Sequence, residues 1–271
     1  MRPYYDHGGI TIYHADCRDV LCSLSADLLL TDPDYGVGMR YGDKCLTAHE
    51  ADELLRTTLT LGEPRIASGH AVLFWSGSWG RIEAFRSVVA STGWSIRHLG
   101  IWYKPNGAGS SGNGLARRFE TWFWLDQGRH PRRGEWQHLP DCIALNRVYP
   151  GMLEAMLHPS QKPEELLRRL IRFFSLPGQV ILDPFMGSGS TLRAAKDLGR
   201  RAIGVEICEA YCEIAARRLE RECLPMSMEP VEQREASRQL PMLSGMASTT
   251  DCNKVGLDVS VLNPVEISDR E

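Results

Sequence analysis

Short apolar bursts, each cut off by proline, glycine or a carboxylate, alternate along this chain with longer stretches of helical periodicity. Asp27-Leu28-Leu29-Leu30-Thr31 runs into Asp32-Pro33-Asp34-Tyr35-Gly36, and Gln179-Val180-Ile181-Leu182-Asp183 runs into Pro184-Phe185-Met186-Gly187-Ser188-Gly189-Ser190-Thr191. A continuous apolar run stopped by turn residues is the pattern of a strand buried on both faces. After the second burst, a helix from about Ser190 to Asp197 with Gly199 at its end leads to the strand Ala202-Ile203-Gly204-Val205 and then Glu206. That is a βαβ unit. Further strands are expected at Ala71 to Trp75, Leu99 to Tyr103 and Thr121 to Leu125, with helices near Glu50 to Leu61, Arg81 to Ser91, Glu164 to Phe174 and Ala210 to Cys223. The alternation predicts an α/β fold, a doubly wound and mostly parallel sheet.

Composition agrees with a packed domain: 43% of the 271 residues are hydrophobic, enough for a proper core. No apolar run approaches the roughly 18 residues a membrane span needs, so no membrane partner is expected. The N-terminal residues lack the apolar stretch of a secretory signal, which puts the eight cysteines in a reducing compartment. Cys208 and Cys212 lie four apart without a second pair, so no metal site is expected. The net charge of -3 is unevenly divided, because Leu224 to Glu271 carries eight acidic residues against four basic ones and leaves the body at +1. That segment also loses periodicity and turns Ser/Thr/Gln-rich. The expected organisation is a catalytic domain at 1–224 and a flexible acidic tail at 225–271.

The chemistry concentrates in the two loops. A glycine-rich turn between a buried strand and a helix lets backbone approach a ligand, and a carboxylate at the end of the next strand can hold ribose hydroxyls. Gly187 and Gly189 supply the turn and Glu206 the carboxylate, but Leu192 stands where a dinucleotide fold would have its third glycine. A nicotinamide-dependent dehydrogenase is disfavoured on that count. A tight βα turn alone would also recruit two glycines.

Taken with Asp183 and Phe185, the run through Gly187, Ser188, Gly189, Ser190 and Thr191 resembles the cofactor loop of S-adenosylmethionine-dependent methyltransferases. The resemblance implies S-adenosyl-L-methionine as cofactor, its methionine portion on this loop and its ribose on Glu206. Asp32-Pro33-Asp34-Tyr35 is similar to the Asp-Pro-Pro-Tyr tetrapeptide of DNA amino-methyltransferases. An exocyclic amine delocalises its lone pair into the base, so a carboxylate and a backbone carbonyl accepting its protons would turn that pair toward the methyl group. The resemblance gives Asp32 and the Pro33 carbonyl those roles, and Tyr35 the face that holds a base flipped out of the duplex. His158-Pro159-Ser160-Gln161-Lys162-Pro163 resembles the segment before the cofactor strand, where His158, Gln161 and Lys162 would meet the cofactor's carboxylate. Asp16 resembles the acidic position at the adenine ring.

The order, catalytic loop first and cofactor loop last, resembles the circularly permuted beta class of DNA amino-methyltransferases over roughly Ile10 to Leu224. Double-stranded DNA is then the partner, and the setting the cytoplasm of a bacterial or phage-infected cell; a homodimer and a cognate restriction endonuclease are further partners the resemblance allows. Asp in the first position of the tetrapeptide resembles the adenine-specific (N6) members, with N4-cytosine methylation as the alternative. Asp34 departs from the family's proline. It frees Pro33 from the restriction a following proline imposes and adds a carboxylate, so a DNA-binding and cofactor-binding protein with weakened catalysis stays open.

Between the motifs, at about 105–156, a recognition region is expected. Lys104, Arg117, Arg118, Arg129, Arg132 and Arg133 are the basic residues that would meet phosphates or guanine edges, with tryptophans interleaved and a glycine-rich run, Asn106 to Gly114, able to order on DNA. A solvated basic face is the alternative.

Overall fold

A computed structural model describes residues 1–34, 36, 40–41, 44–75, 81–107, 118–128, 130–148 and 161–220. The acidic tail, Tyr35, Arg117, Arg129, His158 and most of the glycine-rich run therefore lie outside the described residues. In chain order the elements are β1 (Tyr5–His7), β2 (Ile10–His14), α1 (Cys17–Val20), β3 (Ala26–Thr31), the small pair β4 (Arg40–Tyr41) and β5 (Lys44–Cys45), and α2 (Ala48–Gly62). Next come β6 (Ile66–Trp75), α3 (Ile82–Ala90), β7 (Ser95–Tyr103), β8 (Phe119–Asp126) and β9 (Cys142–Ala144). The chain continues through α4 (Glu164–Phe174), β10 (Val180–Asp183), α5 (Ser190–Asp197), β11 (Arg201–Glu206) and α6 (Glu209–Glu220). No described helix is long and apolar enough to cross a membrane.

Nine strands form one sheet in the order β1-β2-β11-β10-β3-β6-β8-β7-β9. From β2 to β6 every neighbouring pair is parallel, and β8 runs antiparallel to both β6 and β7. The two bursts sit at its centre as adjacent strands, Ile181 beside Leu28 and Leu182 beside Leu29. Strand alternation sends Leu28, Leu30 and Ile181 toward α4, α5 and α6, while Leu29 and Leu182 pack with α1, α2 and α3. All five are at most 1% exposed, and each contributes about 1.5–3 kcal/mol through burial.

The helices form where the sequence supports them locally. Thr47 and Glu50 close a reciprocal capping box at the start of α2. In α4, Leu166, Leu167, Leu170, Ile171 and Phe174 make one buried stripe at helical spacing, with Glu164 and Glu165 in the first turn.

The crossover β3-α2-β6 proceeds to one side of the sheet and β10-α5-β11 to the other, their helices on opposite faces. Opposite directions on opposite faces give the two connections the same hand, the uniformity that twisted strands favour. Their divergence opens a crevice beyond the carboxyl ends of β3 and β10, the place where α/β sheets bind ligands.

Candidate active site at the carboxyl edge of the sheet

That crevice gathers residues from both loops: Asp32 and Asp34 from one, Phe185 to Ser188, Ser190 and Thr191 from the other, with Asp16, Gln161, Lys162 and Glu206 around them. A hydrogen bond from Thr31 Oγ1 to Asp183 Oδ1 (2.6 Å) joins the two strand ends directly. The same oxygen accepts the Phe185 amide at 3.1 Å, so Asp183, which also lines the cavity, shapes the turn. Burial, opposed by these bonds and one from Thr191, pushes its carboxyl up to about 6.

In the glycine turn, Gly187 and Gly189 have φ of 50° and 78°. A Cβ on Gly189 would stand 2.8 Å from the Ala215 Cβ, so both its torsion and its close approach to α6 require glycine. Glu206, at the end of β11, is aligned by two backbone amides, Gly187 N–H to Oε2 (3.0 Å) and Cys208 N–H to Oε1 (2.8 Å). Burial raises its pKa against those donors. Beside it, Phe185 and Ile207 give the cavity apolar walls, and Asp16 caps α1 by accepting the Arg18 amide at 3.0 Å.

The serines are arranged differently from the expectation. Arg218 Nη1 donates to the Ser188 carbonyl (2.7 Å), Ser188 Oγ (3.0 Å) and Ser190 Oγ (3.2 Å), while its Nη2 pairs with Glu164 Oε1 at 2.7 Å. Both serines line the cavity, but their hydroxyls answer this buried arginine behind the loop. Arg218 is three residues beyond Ala215, within the apolar stripe of α6, and an arginine in such a stripe is the signal the sequence carries for this role.

At the end of β3, the Lys162 ammonium donates to Asp32 Oδ2. The other oxygen, Oδ1, is buried and has no hydrogen-bond partner among the described residues. Burial pushes the Asp32 carboxyl up to about 6, with Glu120 and Asp183 adding to the rise and Lys162 opposing it. Lys162 also pairs with Glu120 Oε2 at 3.3 Å, and Lys104 Nζ reaches Glu120 Oε1 at 3.0 Å. Lys162 was expected to meet the cofactor's carboxylate; its charge is instead committed to Asp32 and Glu120. No feature of the sequence marked Glu120, since it belongs to β8, some ninety residues from Asp32 in the chain.

Asp34 folds back on its own loop, its Oδ1 accepting the Gly36 amide at 2.8 Å. Half-burial raises its pKa, while that bond and the Arg81 guanidinium hold it down. Gly36 itself has φ of 63°, and a Cβ there would come within 2.7 Å of Ala48 Cα, so the turn is pressed against the start of α2.

The basic region divides. Because β8 runs antiparallel to β6, Phe119 and Thr121 lie at the crevice edge of the sheet whereas Asp126 lies at the opposite edge, beside His70. Arg132 and Arg133 follow Asp126 and belong to that far edge. Arg132 stacks 3.8 Å above the Phe173 ring and donates to the Trp136 carbonyl at 3.1 Å, and Glu135 pairs with the buried Arg200 at 3.0 Å. Arg132 therefore braces this segment against α4, and Lys104 is buried in its pair with Glu120. Neither is placed as a free phosphate contact. Arg118 is exposed at the crevice edge, its Nη1 on the Pro105 carbonyl at 3.3 Å. Arg133 is exposed at the far edge.

A family described as DNA methylase (N6_N4_Mtase) matches residues 26–217 of the chain. Type II methyltransferase M2.DpnII of Streptococcus pneumoniae is 30% identical over 251 residues, which cover 82% of this chain and 93% of that protein. Among solved structures, the M1.HpyAVI-SAM complex superimposes with a TM-score of 0.61 at 26% identity, over 78% of this chain and all of the other. The cytosine-N4-specific PvuII DNA methyltransferase superimposes with a TM-score of 0.69 over 87% of this chain; at 17% identity it shares the fold.

Proposed function

This chain belongs to the N6/N4 DNA methylase family, and from that premise we propose that it transfers the methyl group of S-adenosyl-L-methionine to the N6 amine of adenine in double-stranded DNA. The observation that carries the reading is Asp32, which lines the crevice and whose buried Oδ1 has no hydrogen-bond partner among the described residues. A buried carboxylate oxygen left unmatched is costly in a resting protein and useful where a donor arrives with substrate.

The cavity's chemistry fits the cofactor. Its β11 end offers the Glu206 carboxylate for paired hydroxyls between apolar walls, and its β10 end offers a glycine turn where backbone can come close. Bound there, S-adenosyl-L-methionine supplies an electrophilic methyl group on a positively charged sulfur. Asp32 Oδ1 and the Pro33 carbonyl accept hydrogen bonds from the amine's two N–H groups, which draws the nitrogen lone pair out of conjugation and toward that methyl. With the cofactor held there, the nitrogen–carbon bond would form as the carbon–sulfur bond broke, the electron pair staying with sulfur. The amine's surplus proton leaves through Asp32, whose basicity, raised to about 6, suits it to accept a proton near neutrality.

Adenine is favoured over cytosine because the tetrapeptide begins with Asp32, and Asp34 keeps the loop closed through its bond to Gly36, in place of the stiffness a proline would lend. The test is single-molecule sequencing of DNA from a methylation-deficient host expressing the protein, beside an Asp32→Ala control. Methylated adenine in a fixed short motif, absent from the control, is the expected result. Methylated cytosine would overturn the base, and unmodified DNA from a folded, cofactor-binding protein would overturn the reaction.

A further inference from the structure

Four charged side chains from four separated parts of the sequence form a buried ladder beside the crevice. In spatial order they are Asp32 at the end of β3, Lys162 before α4, Glu120 in β8 and Lys104 after β7, with alternating sign. Side-chain exposure is 20% for Asp32 and Glu120, 8% for Lys162 and 11% for Lys104. Aromatic faces flank both cations: the Phe74 ring lies 5.2 Å from Lys162 Nζ and the Trp102 ring 5.3 Å from Lys104 Nζ.

Such a ladder is expensive to bury, and a well-packed apolar cluster would stabilise a sheet edge as well or better. Its geometry suggests what it achieves. Lys162 donates to one oxygen of Asp32 and to Glu120 on its other side, so its ammonium is held from both directions and cannot swing across to Oδ1. Glu120 is in turn fixed by Lys104.

We propose that Glu120 is a positioning residue for methyl transfer: by anchoring Lys162 it keeps Asp32 turned so that Oδ2 is occupied and Oδ1 is free to receive the target amine. This rests on the methyltransferase reading for its purpose, though not for its measurement.

Among the described residues, the charges facing Asp32 are Lys162, Glu120 from β8 and Asp183 from β10, with Asp34 on its own loop, and Lys162 and Lys104 are charges that face Glu120. Removing the Glu120 charge takes away one repulsion and leaves Lys162 wholly to Asp32. Both effects make Asp32 less basic. Removing the Lys162 charge does the reverse.

The experiment compares Glu120→Gln, Glu120→Asp and Lys162→Met in the full-length protein. Two readouts are taken: single-turnover methylation from pH 5 to 8, and a carbon-13 NMR titration of the Asp32 carboxyl, assigned with Asp32→Asn. In Glu120→Gln the Asp32 midpoint should fall by about one pH unit, and in Lys162→Met rise by about as much or more. The methyl-transfer rate of Glu120→Gln should fall at least tenfold at pH 7.5 with cofactor affinity kept within twofold, and Glu120→Asp should recover part of it. A uniform loss of rate at every pH with an unmoved Asp32 midpoint would overturn the proposal, as would a Glu120→Gln enzyme of unchanged rate. If Glu120→Gln fails to fold, the midpoint in Glu120→Asp decides, and no displacement refutes the coupling. If the wild type methylates nothing, the methyltransferase reading fails by itself, and the titration still shows whether the ladder governs Asp32.

Discussion

The loops after β10 and β3 lie side by side in the sheet, yet they are finished to different degrees. After β10 the polar groups are answered from within: Asp183 by Thr31 and Phe185, Glu206 by Gly187 and Cys208, Ser188 and Ser190 by Arg218. After β3, among the described residues, the arrangement stops one bond short, at Asp32 Oδ1. A binding loop gains from being built before its ligand arrives, because ordering it later would weaken affinity. A reacting loop gains from an acceptor that is held in place and still vacant.

The comparison breaks most sharply at Asp32. Asp32→Ala should lower the single-turnover methylation rate by about 10²- to 10⁴-fold, the range of a positioned acid–base group, while calorimetry finds cofactor affinity nearly intact. Loss of both would make the two loops one unit and erase the contrast. Next in size is Arg218→Met, which takes from Glu164 one of its arginines, Arg168 remaining, and from the two serine hydroxyls their guanidinium donor. Truncating one member of such a pair costs about 3 kcal/mol, read as a lower denaturant midpoint, and cofactor binding should weaken with it.

Glu206→Ala should act on the finished side alone. Cofactor affinity is expected to fall about 10- to 100-fold, the worth of a hydrogen bond to a charged group, with turnover at saturating cofactor changed much less. Unchanged affinity would remove Glu206 from the ribose role. The smallest effect belongs to Asp34: Asp34→Ala loses the bond to Gly36 and should cost about 1 kcal/mol of loop order, read as a few-fold slower transfer, whereas Asp34→Asn keeps an acceptor and should stay close to wild type. A large gain in rate for Asp34→Pro would instead identify Asp34 as damage to the tetrapeptide.

The central strands, the βαβ unit and the helices were legible in the sequence because each is a local pattern: an apolar burst of four or five residues, or a buried stripe at helical spacing such as Leu166, Leu167, Leu170 and Ile171. So were the residues of both loops, since Pro33, Gly187 and Gly189 mark turns wherever they occur. What could not be read was which way a strand runs. The basic residues from Lys104 to Arg133 read in sequence as one recognition surface or one solvated face, but a single antiparallel strand, β8, carries Arg132 and Arg133 to the edge remote from the crevice.

Partnership was hidden for the same reason. The sequence assigns Lys162 to the cofactor's carboxylate and Arg218 no role; in the fold one is committed to Asp32 and the other to the glycine turn. Hydrophobic periodicity and turn chemistry act over a few residues, so the chain by itself determined the strands, the helices and the two loops that lie at the carboxyl edge. Charge pairing acts through space between side chains that sequence separation does not relate. Only the tertiary structure decided that Glu120 and Lys104 would stand behind Asp32, and that one buried oxygen of that carboxylate would have no partner among the described residues.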